Sequence, residues 1–553
     1  MWIEATTIAD LLHRTADASD NMGIVFPDQR VTWKELAGRS DRFARALLEL
    51  GVEPGDKVGI LMPNSLDYIT LIFAVTKLGA VVVPVNGRFK ERELGYVLEH
   101  ADLKVLFIAE GGGGANYPTL IEAVFPALAD ADPGRLELVN APKLRNVVNL
   151  GGASVGALDR ERFERLADGR PVEQVRLLQE RVRIRDVAML MYTSGTTSRP
   201  KGCLLSHEAL VRQGSNVAIT RFELTEEDRF WDPLPLFHCG GIVPMIGCCR
   251  TCATYYHAGH FEPTQAIHTL AEEKITVAYP ASEPIWLAIL NHPEFDQLDL
   301  TSIRLLQNIA TPERLAFFER ATPWAKQVSS YGSTESATNL TLPFPDDPYE
   351  VRINTLGTPV EGMQIRIVDP ESGRERPTGE VGEITFRGYS LFEGYYKDPE
   401  QTAASHDDEG YFRTGDLGSL DERGALRYAG RLKDMLKVGG ENVSALEIED
   451  YLASHPAVEI AQVVAAPDAR YAEVPCAYLE LKPDATVTAE EIVEFCVGKI
   501  ATYKVPRYVR FVETWPMSGT KVQKFVLRDR IAKELAEAGI DEAPQIVSMA
   551  FRA

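Results

Sequence analysis

Residues 192–202 read YTSGTTSRPKG. Thr193, Ser194, Thr196, Thr197 and Ser198 supply hydroxyls, Gly195 frees the backbone among them, and Arg199 and Lys201 add positive charge. Glycine lets backbone N–H groups turn toward an anion, hydroxyls donate further hydrogen bonds, and the cations neutralise charge. These residue types suit phosphate binding. They also suit a polar surface turn, which is the competing reading. The loop is not a P-loop, because the order glycine, four residues, glycine, lysine, serine or threonine does not occur.

Further along, residues 331–336 read YGSTES. Tyr331 offers a flat face for a purine, Gly332 a close backbone turn, Thr334 a donor to phosphate and Glu335 an oxygen ligand for magnesium. Asp416 follows Gly415 in YFRTGDL, on what reads as a turn, and a carboxylate there can accept both hydroxyls of a ribose. An ordinary Gly-Asp turn is the alternative. His238 lies in WDPLPLFHCGGIVPM, where two prolines keep the backbone extended, the histidine ends an apolar strand, and Gly240 and Gly241 permit close approach. A lone histidine serves structure as readily as function.

In order and approximate spacing these segments resemble the signatures of the adenylate-forming superfamily, which includes acyl-CoA synthetases, stand-alone adenylation domains and luciferases. The resemblance covers almost the whole chain. It implies that Thr193, Ser194, Gly195, Thr196, Thr197 and Lys201 cradle the β- and γ-phosphates of ATP. Tyr331 then lies against adenine beside Gly332, Thr334 contacts the α-phosphate, Glu335 binds Mg²⁺, and Asp416 and Arg431 contact the nucleotide. His238 matches the position that lines and gates the acyl channel. Lys433 matches the hinge about which a small domain turns between adenylation and thioester formation, and Lys437, Gly439 and Gly440 face the site in the second orientation. Lys521, in PMSGTKVQKF, matches the lysine bridging substrate carboxylate and α-phosphate, although Thr520 separates it from Gly519; Lys524 is the runner-up. Where relatives commonly carry Gly-Gly-Ala beside the adenine and acyl groups, this chain has Asn308, Ile309 and Ala310, so no relative's substrate preference transfers directly.

The elements that must hold these residues are legible from periodicity. An apolar strand over 187–191 precedes the hydroxyl-rich loop, and a helix begins at Ser206. Thr32 and Glu35 have capping-box spacing ahead of a helix with one apolar face, stopped at Gly51. Strands over 57–62, 81–85 and 103–108 alternate with helices over 66–78 and 91–100, which predicts a parallel sheet covered on both faces. Gly111 to Gly114 open an irregular excursion with no assignable chemistry. Strands are expected again over 275–279 and 303–306, with a helix over 284–290 between them. Short β runs over 360–428 read as a small antiparallel subdomain. Charge-dense residues 431–437 mark a boundary. Beyond them, capping boxes at Ser444/Glu447 and Thr488/Glu491 with strands over 458–465 and 475–481 predict a compact α+β unit of roughly 120 residues. The expected fold is α/β: a large multi-subdomain N-terminal domain (1–432) with parallel sheets and a small β subdomain, plus a mobile small α+β C-terminal domain (433–553).

The chain has 553 residues, 45% hydrophobic and 25% charged, with a formal net charge of -22. That balance describes a folded multidomain protein and argues against nucleic acid or an anionic membrane surface as partner. The N-terminal residues carry no basic segment leading into an apolar one, and the longest apolar stretch is broken by Lys77 and Gly79, so a cytoplasmic protein without a membrane span is expected. Seven scattered cysteines include one CxxC pair, Cys249 and Cys252, which makes buried thiols the better reading than a zinc site. The resemblance implies an AMP-forming acyl-CoA synthetase using Mg²⁺, ATP, coenzyme A and a hydrophobic carboxylic acid, with dimerisation a family-level expectation. Two alternatives stand beside it. One is a stand-alone adenylation enzyme passing acyl-AMP to a carrier protein; against its amino-acid form counts the lack of an acid in PLPLFHCGG to pair a substrate ammonium. The other is a non-catalytic paralogue acting as a binding partner, against which count the retained Glu335 and Lys521.

Overall fold

The computed structural model describes residues 5–110, 116–133, 136–193, 200–438, 441–518 and 521–545. Expectations for Ser194, Gly195, Thr196, Thr197, Gly439, Gly440 and the Gly111 to Gly114 run, and for the side chain of Lys521, lie outside the described residues. The chain forms two compact units, residues 1–365, 386–412 and 423–425 in one and 366–385, 413–422 and 426–553 in the other.

The first unit is built on two large sheets. In one, Val187–Thr193, Val81–Pro84, Lys57–Leu61, Leu103–Ile108, Asn146–Asn149 and Leu158–Asp159 run parallel, as the strand and helix alternation predicts. The helix Leu66–Lys77 between two of these strands is buried on every side, which explains its continuous apolar sequence. Lys77, wholly buried within it, is held by Asp41 and donates to the Ala37 carbonyl at 3.1 Å, and burial lowers its pKa. Trp33–Glu49 is the amphipathic helix of the capping box: Thr32 Oγ1 accepts from Glu35 N at 3.1 Å and Glu35 accepts from Thr32 N at 2.8 Å. In the second large sheet, strands Lys326–Val328, Leu305–Gln307, Val277–Ala278, Arg229–Trp231, Thr254–Tyr256 and Met22–Val25 are parallel, with Arg30–Thr32 antiparallel at the edge.

The helix expected from Ser206 forms as His207–Thr220 with Ser206 as its cap, and between the hydroxyl-rich loop and that helix lies a strand not read from the sequence, Lys201–Ser206, antiparallel to Val187–Thr193, so the loop closes a hairpin. KGCLLS pairs because the adjacent strand offers an open edge across the hairpin, a partnership that the short segment's own periodicity does not carry. One expectation for this unit changes: His238 does not end a strand but is the N-cap residue of the helix Cys239–Thr251, in which Pro244 lies inside.

The two helices His207–Thr220 and Cys239–Thr251 meet glycine to glycine. A Cβ on Gly214 would lie 2.6 Å from the Val243 carbonyl oxygen, and one on Gly247 would lie 2.8 Å from that of Gly214.

The second unit contains most of a four-stranded sheet, in which Phe412–Leu420 pairs antiparallel with Leu426–Arg431. Beyond it the long strands Val458–Asp468 and Ala472–Leu481 pair antiparallel and Tyr508–Phe511 lies parallel to the second. Alternate side chains point to opposite faces: Ala461, Val463, Ala477 and Leu479 pack with Ile448, Leu452 and Ile492, while Val464, Ala466, Cys476 and Tyr478 pack with Leu527, Ile531 and Leu535 of the terminal helix Lys524–Ala538. The Thr488/Glu491 capping box forms. The one expected at Ser444/Glu447 does not: Ser444 Oγ donates instead to the Ala429 carbonyl at 2.8 Å, and Lys504 takes Glu447. Six of the seven cysteines are buried and Cys252 partly so. Among the described residues no helix is long and apolar enough to cross a membrane, and no group of three or more His, Cys, Asp or Glu could hold a metal ion.

Candidate functional site

The hairpin fixes the two ends of the hydroxyl-rich loop, because Thr193 pairs with Lys201 across it. On its outer side the short strand Gly394–Tyr395 pairs antiparallel with Lys201–Ser206, placing Tyr395 opposite Cys203. Backbone bonds from Glu393 N to Leu204 O and Tyr396 N to Gly202 O, both 2.8 Å, lock this register. Lys201 Nζ then stands 5.1 Å from the centre of the Tyr395 ring, within cation–π range.

The second signature approaches the same point. Tyr331–Ser333 is a strand, Thr334–Ser336 a single 3-10 turn, and the chain returns as the strand Thr338–Leu342. Gly332 is required there, since a Cβ would fall 1.7 Å from the Thr338 carbonyl oxygen. Ala337 at φ +50 and the β-branched Thr338 at φ +81 hold left-handed backbone just after the turn, a form of strain that clusters at functional sites. Phe392 N donates to the Glu335 carbonyl at 2.9 Å, and Tyr395 Oη donates to Glu335 Oε1 at 3.0 Å. Burial and the Glu335 charge both raise the Tyr395 pKa, so the phenol keeps its proton and remains the donor. Tyr395 thus joins Lys201 and Glu335. Sequence reading missed it, although a Gly-Tyr-Tyr run after a β-rich stretch is a visible cue; its partner strand lies far away in the sequence. Tyr331 is buried, while Thr334 and Glu335 are half-buried and remain reachable.

His238 is exposed and its ring packs on Phe237 with centroids 4.6 Å apart. The segment before it is held by side chains that the sequence did not single out. Asn64 Oδ1 accepts from Leu236 N at 2.9 Å, and His257 Nε2 lies 2.9 Å from the Leu234 carbonyl while its Nδ1 accepts from Gly259 N at 2.8 Å. That pair of bonds fixes His257 as the neutral Nε2–H tautomer, and burial lowers its pKa to about 4. Gly240 and Gly241 are as close to their neighbours as expected, with Pro235 O 2.7 Å from a Cβ at Gly241. Asn308, Ile309 and Ala310 face different surroundings. The Asn308 amide is buried and donates to Gln327 Oε1 at 3.2 Å, Ile309 is 52% exposed, and Ala310 packs on the core.

In the second unit Asp416 is not on a turn: it lies inside the strand Phe412–Leu420, opposite Arg431, with Arg431 Nε 3.2 Å from Asp416 Oδ1. Gly415, at φ +70, supplies the irregularity that reads as a turn. Burial opposes the Arg431 charge, but Asp416 and Tyr428 outweigh it and raise the pKa. Lys433 sits in the 3-10 turn Leu432–Asp434 with its pKa lowered by burial, and Lys437 is exposed on Met435–Val438. Lys521 opens the two-residue strand Lys521–Val522. Lys524 ion-pairs with the buried Glu449 at 2.6 Å.

Residues 12–396 match the family model of AMP-binding enzymes, and residues 447–521 match that of the AMP-binding enzyme C-terminal domain. The chain is 35% identical over 540 residues to a Bacillus subtilis protein named as an acyl-CoA synthetase, YngI, covering 95% of this chain and 97% of the relative. It is 33% identical over 545 residues to the mitochondrial medium-chain acyl-CoA ligase ACSF2 of Rattus norvegicus, covering 96% and 88%. Among solved structures it resembles the anthranilate CoA ligase AuaEII in complex with anthranoyl-AMP, at 27% identity and a TM-score of 0.84 over 97% and 99% of the chains.

Proposed function

We propose that this chain, which belongs to the AMP-binding enzyme family, is an ATP-dependent acyl-CoA synthetase acting on a hydrophobic carboxylic acid. The observation that carries this reading is the convergence of Lys201 and Glu335 on Tyr395, which puts a cation and an acidic oxygen at the mouth of one hydroxyl-rich hairpin. Two anions must meet in such a reaction, and charge builds on the phosphate as they do.

The acid's carboxylate oxygen attacks the α-phosphorus of ATP in line, the bond to the β-phosphate oxygen breaks, and pyrophosphate leaves. Lys201 with Thr193, Ser194, Gly195, Thr196 and Thr197 holds the β- and γ-phosphates. Tyr331 and Gly332 border the adenine, Thr334 donates to the α-phosphate, and Asp416 with Arg431 serves the nucleotide. Magnesium enters with ATP. It ordinarily binds through one or two carboxylates plus substrate phosphates, and the half-buried Glu335 carboxylate suits that mode. Bound there, the ion offsets the charge of the phosphates. Lys521 pairs with both the acid and the α-phosphate. In the second step the thiol sulfur of coenzyme A attacks the acyl carbon, the bond to AMP breaks, and the thiol proton passes to solvent. The C-terminal domain turns at Lys433 between the steps, bringing Lys437, Gly439 and Gly440 to the site, while His238 and the Asn308 to Ala310 wall shape the acid's channel.

Acid-dependent exchange of labelled pyrophosphate into ATP tests the first step. Exchange with a medium-chain aliphatic or an aryl acid is expected, the two classes suggested by the names of the relatives. ATP binding without exchange for any acid would contradict the assignment. A coenzyme A acceptor rests on those names, and a carrier protein is the alternative that acceptor assays separate.

A further inference from the structure

Asp232 is wholly buried at the end of the strand Arg229–Trp231, just ahead of the Leu234 to His238 segment. Its Oδ1 accepts from Leu234 N at 2.8 Å. Its Oδ2 lies 3.1 Å from Tyr255 Oη, and that same hydroxyl lies 2.9 Å from the Gly241 carbonyl oxygen in the first turn of the helix Cys239–Thr251. Tyr255 is also wholly buried. A phenol has one hydrogen, and here it faces two acceptors. Were Asp232 ionised, either its charge or the Gly241 carbonyl would lack a donor from this hydroxyl. No ion pair to Asp232 occurs among the described residues, and the titratable groups around it, Tyr255, Tyr279 and Cys248, are neutral at ordinary pH and have pKa values raised by burial.

We infer that Asp232 is carried as the neutral carboxylic acid, and that its O–H donates to Tyr255 Oη while Tyr255 donates to the Gly241 carbonyl. This closed chain satisfies every polar atom in it, whereas an unpaired buried carboxylate would carry a large desolvation cost. Burial raises the carboxyl pKa well above its usual range, as such an arrangement requires. The chain ties three elements together: the end of one strand, the neighbouring strand Thr254–Tyr256 and the start of the helix that His238 caps. Asp232 is therefore a positioning residue for the His238 turn. Its consequence for acid selection rests on the proposed function; its protonation does not.

The test compares thermal unfolding of wild type, Asp232→Asn and Asp232→Ala between about pH 6 and about pH 8.5. A carboxyl whose folded pKa is raised stabilises the fold at low pH and loses that contribution progressively as pH rises from the unfolded toward the folded pKa. Asparagine supplies the same donor toward Tyr255 and the same acceptor toward Leu234 without titrating. The Tm of Asp232→Asn minus that of wild type is expected to grow by several degrees across the range. A difference that stays flat or shrinks with rising pH would overturn the neutral acid, and this slope decides even if Asp232→Ala does not fold. For position, Asp232→Ala is expected to raise the KM for the acid by about tenfold or more, with Asp232→Asn restoring most of it. A folded Asp232→Ala protein with unchanged acid KM would overturn the positioning role. Wild-type protein inert toward every acid would instead count against the proposed function and leave the pH slope readable.

Discussion

Tyr395 and Glu335, sixty positions apart in the chain, share a 3.0 Å hydrogen bond from phenol to carboxylate. The ring of the same tyrosine lies beneath the Lys201 ammonium. One side chain therefore spaces the hairpin lysine from the acid of the second signature. Tyr395→Phe keeps the ring and loses the donor. A hydrogen bond to an ionised group is worth about 1.5–3 kcal/mol, so kcat for acyl-adenylate formation should fall about 10–100-fold with little change in Tm. Tyr395→Leu should further raise the KM for ATP. Single-turnover adenylation across ATP concentrations separates the two effects.

Lys521→Ala should abolish formation of acyl-AMP from acid and ATP while sparing conversion of supplied acyl-AMP to thioester. The reason is electrostatic: the lysine is assigned to the repulsion between carboxylate and α-phosphate, which only the first step contains. Assaying the half-reactions separately checks this, and equal loss of both would refute the role.

The crossing of His207–Thr220 over Cys239–Thr251 should tolerate no side chain at Gly247, where the Gly214 carbonyl leaves a Cβ only 2.8 Å. Gly247→Val should cost about 1–3 kcal/mol through overpacking, measured by chemical denaturation. Gly38 provides the contrast. It lies within the helix Trp33–Glu49 with nothing within 4 Å of its Cβ direction, so Gly38→Ala should stabilise by about 0.5–1 kcal/mol.

Burial lowers the pKa of both His207 and His257 from 6.5 to about 4. Between those values the unfolded chain binds protons that the folded chain refuses. Stability present above pH 6.5 is therefore lost as pH falls toward 4, by up to about 3 kcal/mol for each histidine. Denaturant unfolding at several pH values should show this acid-side slope, and His257→Gln should reduce it. A slope unchanged by that substitution would place the proton elsewhere.

Much of the frame could be read from the chain because it rests on local rules. The Thr32/Glu35 and Thr488/Glu491 caps, the strand Leu103–Ile108 and the helix Glu91–His100 follow from capping chemistry and periodicity, and each forms where expected. The misses share a different cause. Lys201–Ser206 became a strand because the edge of Val187–Thr193 accepts it across the hairpin, Asp416 joined a ladder because Arg431 lies opposite, and Ser444 gave its hydroxyl to Ala429 rather than to its own helix. Tyr395, Asp232 and His257 likewise gain their importance from partners remote in sequence. The residue types that suit phosphate were visible at once, whereas the side chains holding them in place were not.

The most direct test of the central claim is AMP release by the purified protein with Mg·ATP and a panel of aliphatic, aryl, alicyclic and terpenoid acids, each with and without coenzyme A. Turnover that requires both one class of acid and coenzyme A is the predicted result. ATP bound with no AMP released for any acid, or release that ignores coenzyme A and proceeds only with a carrier protein, would contradict the assignment as an acyl-CoA synthetase.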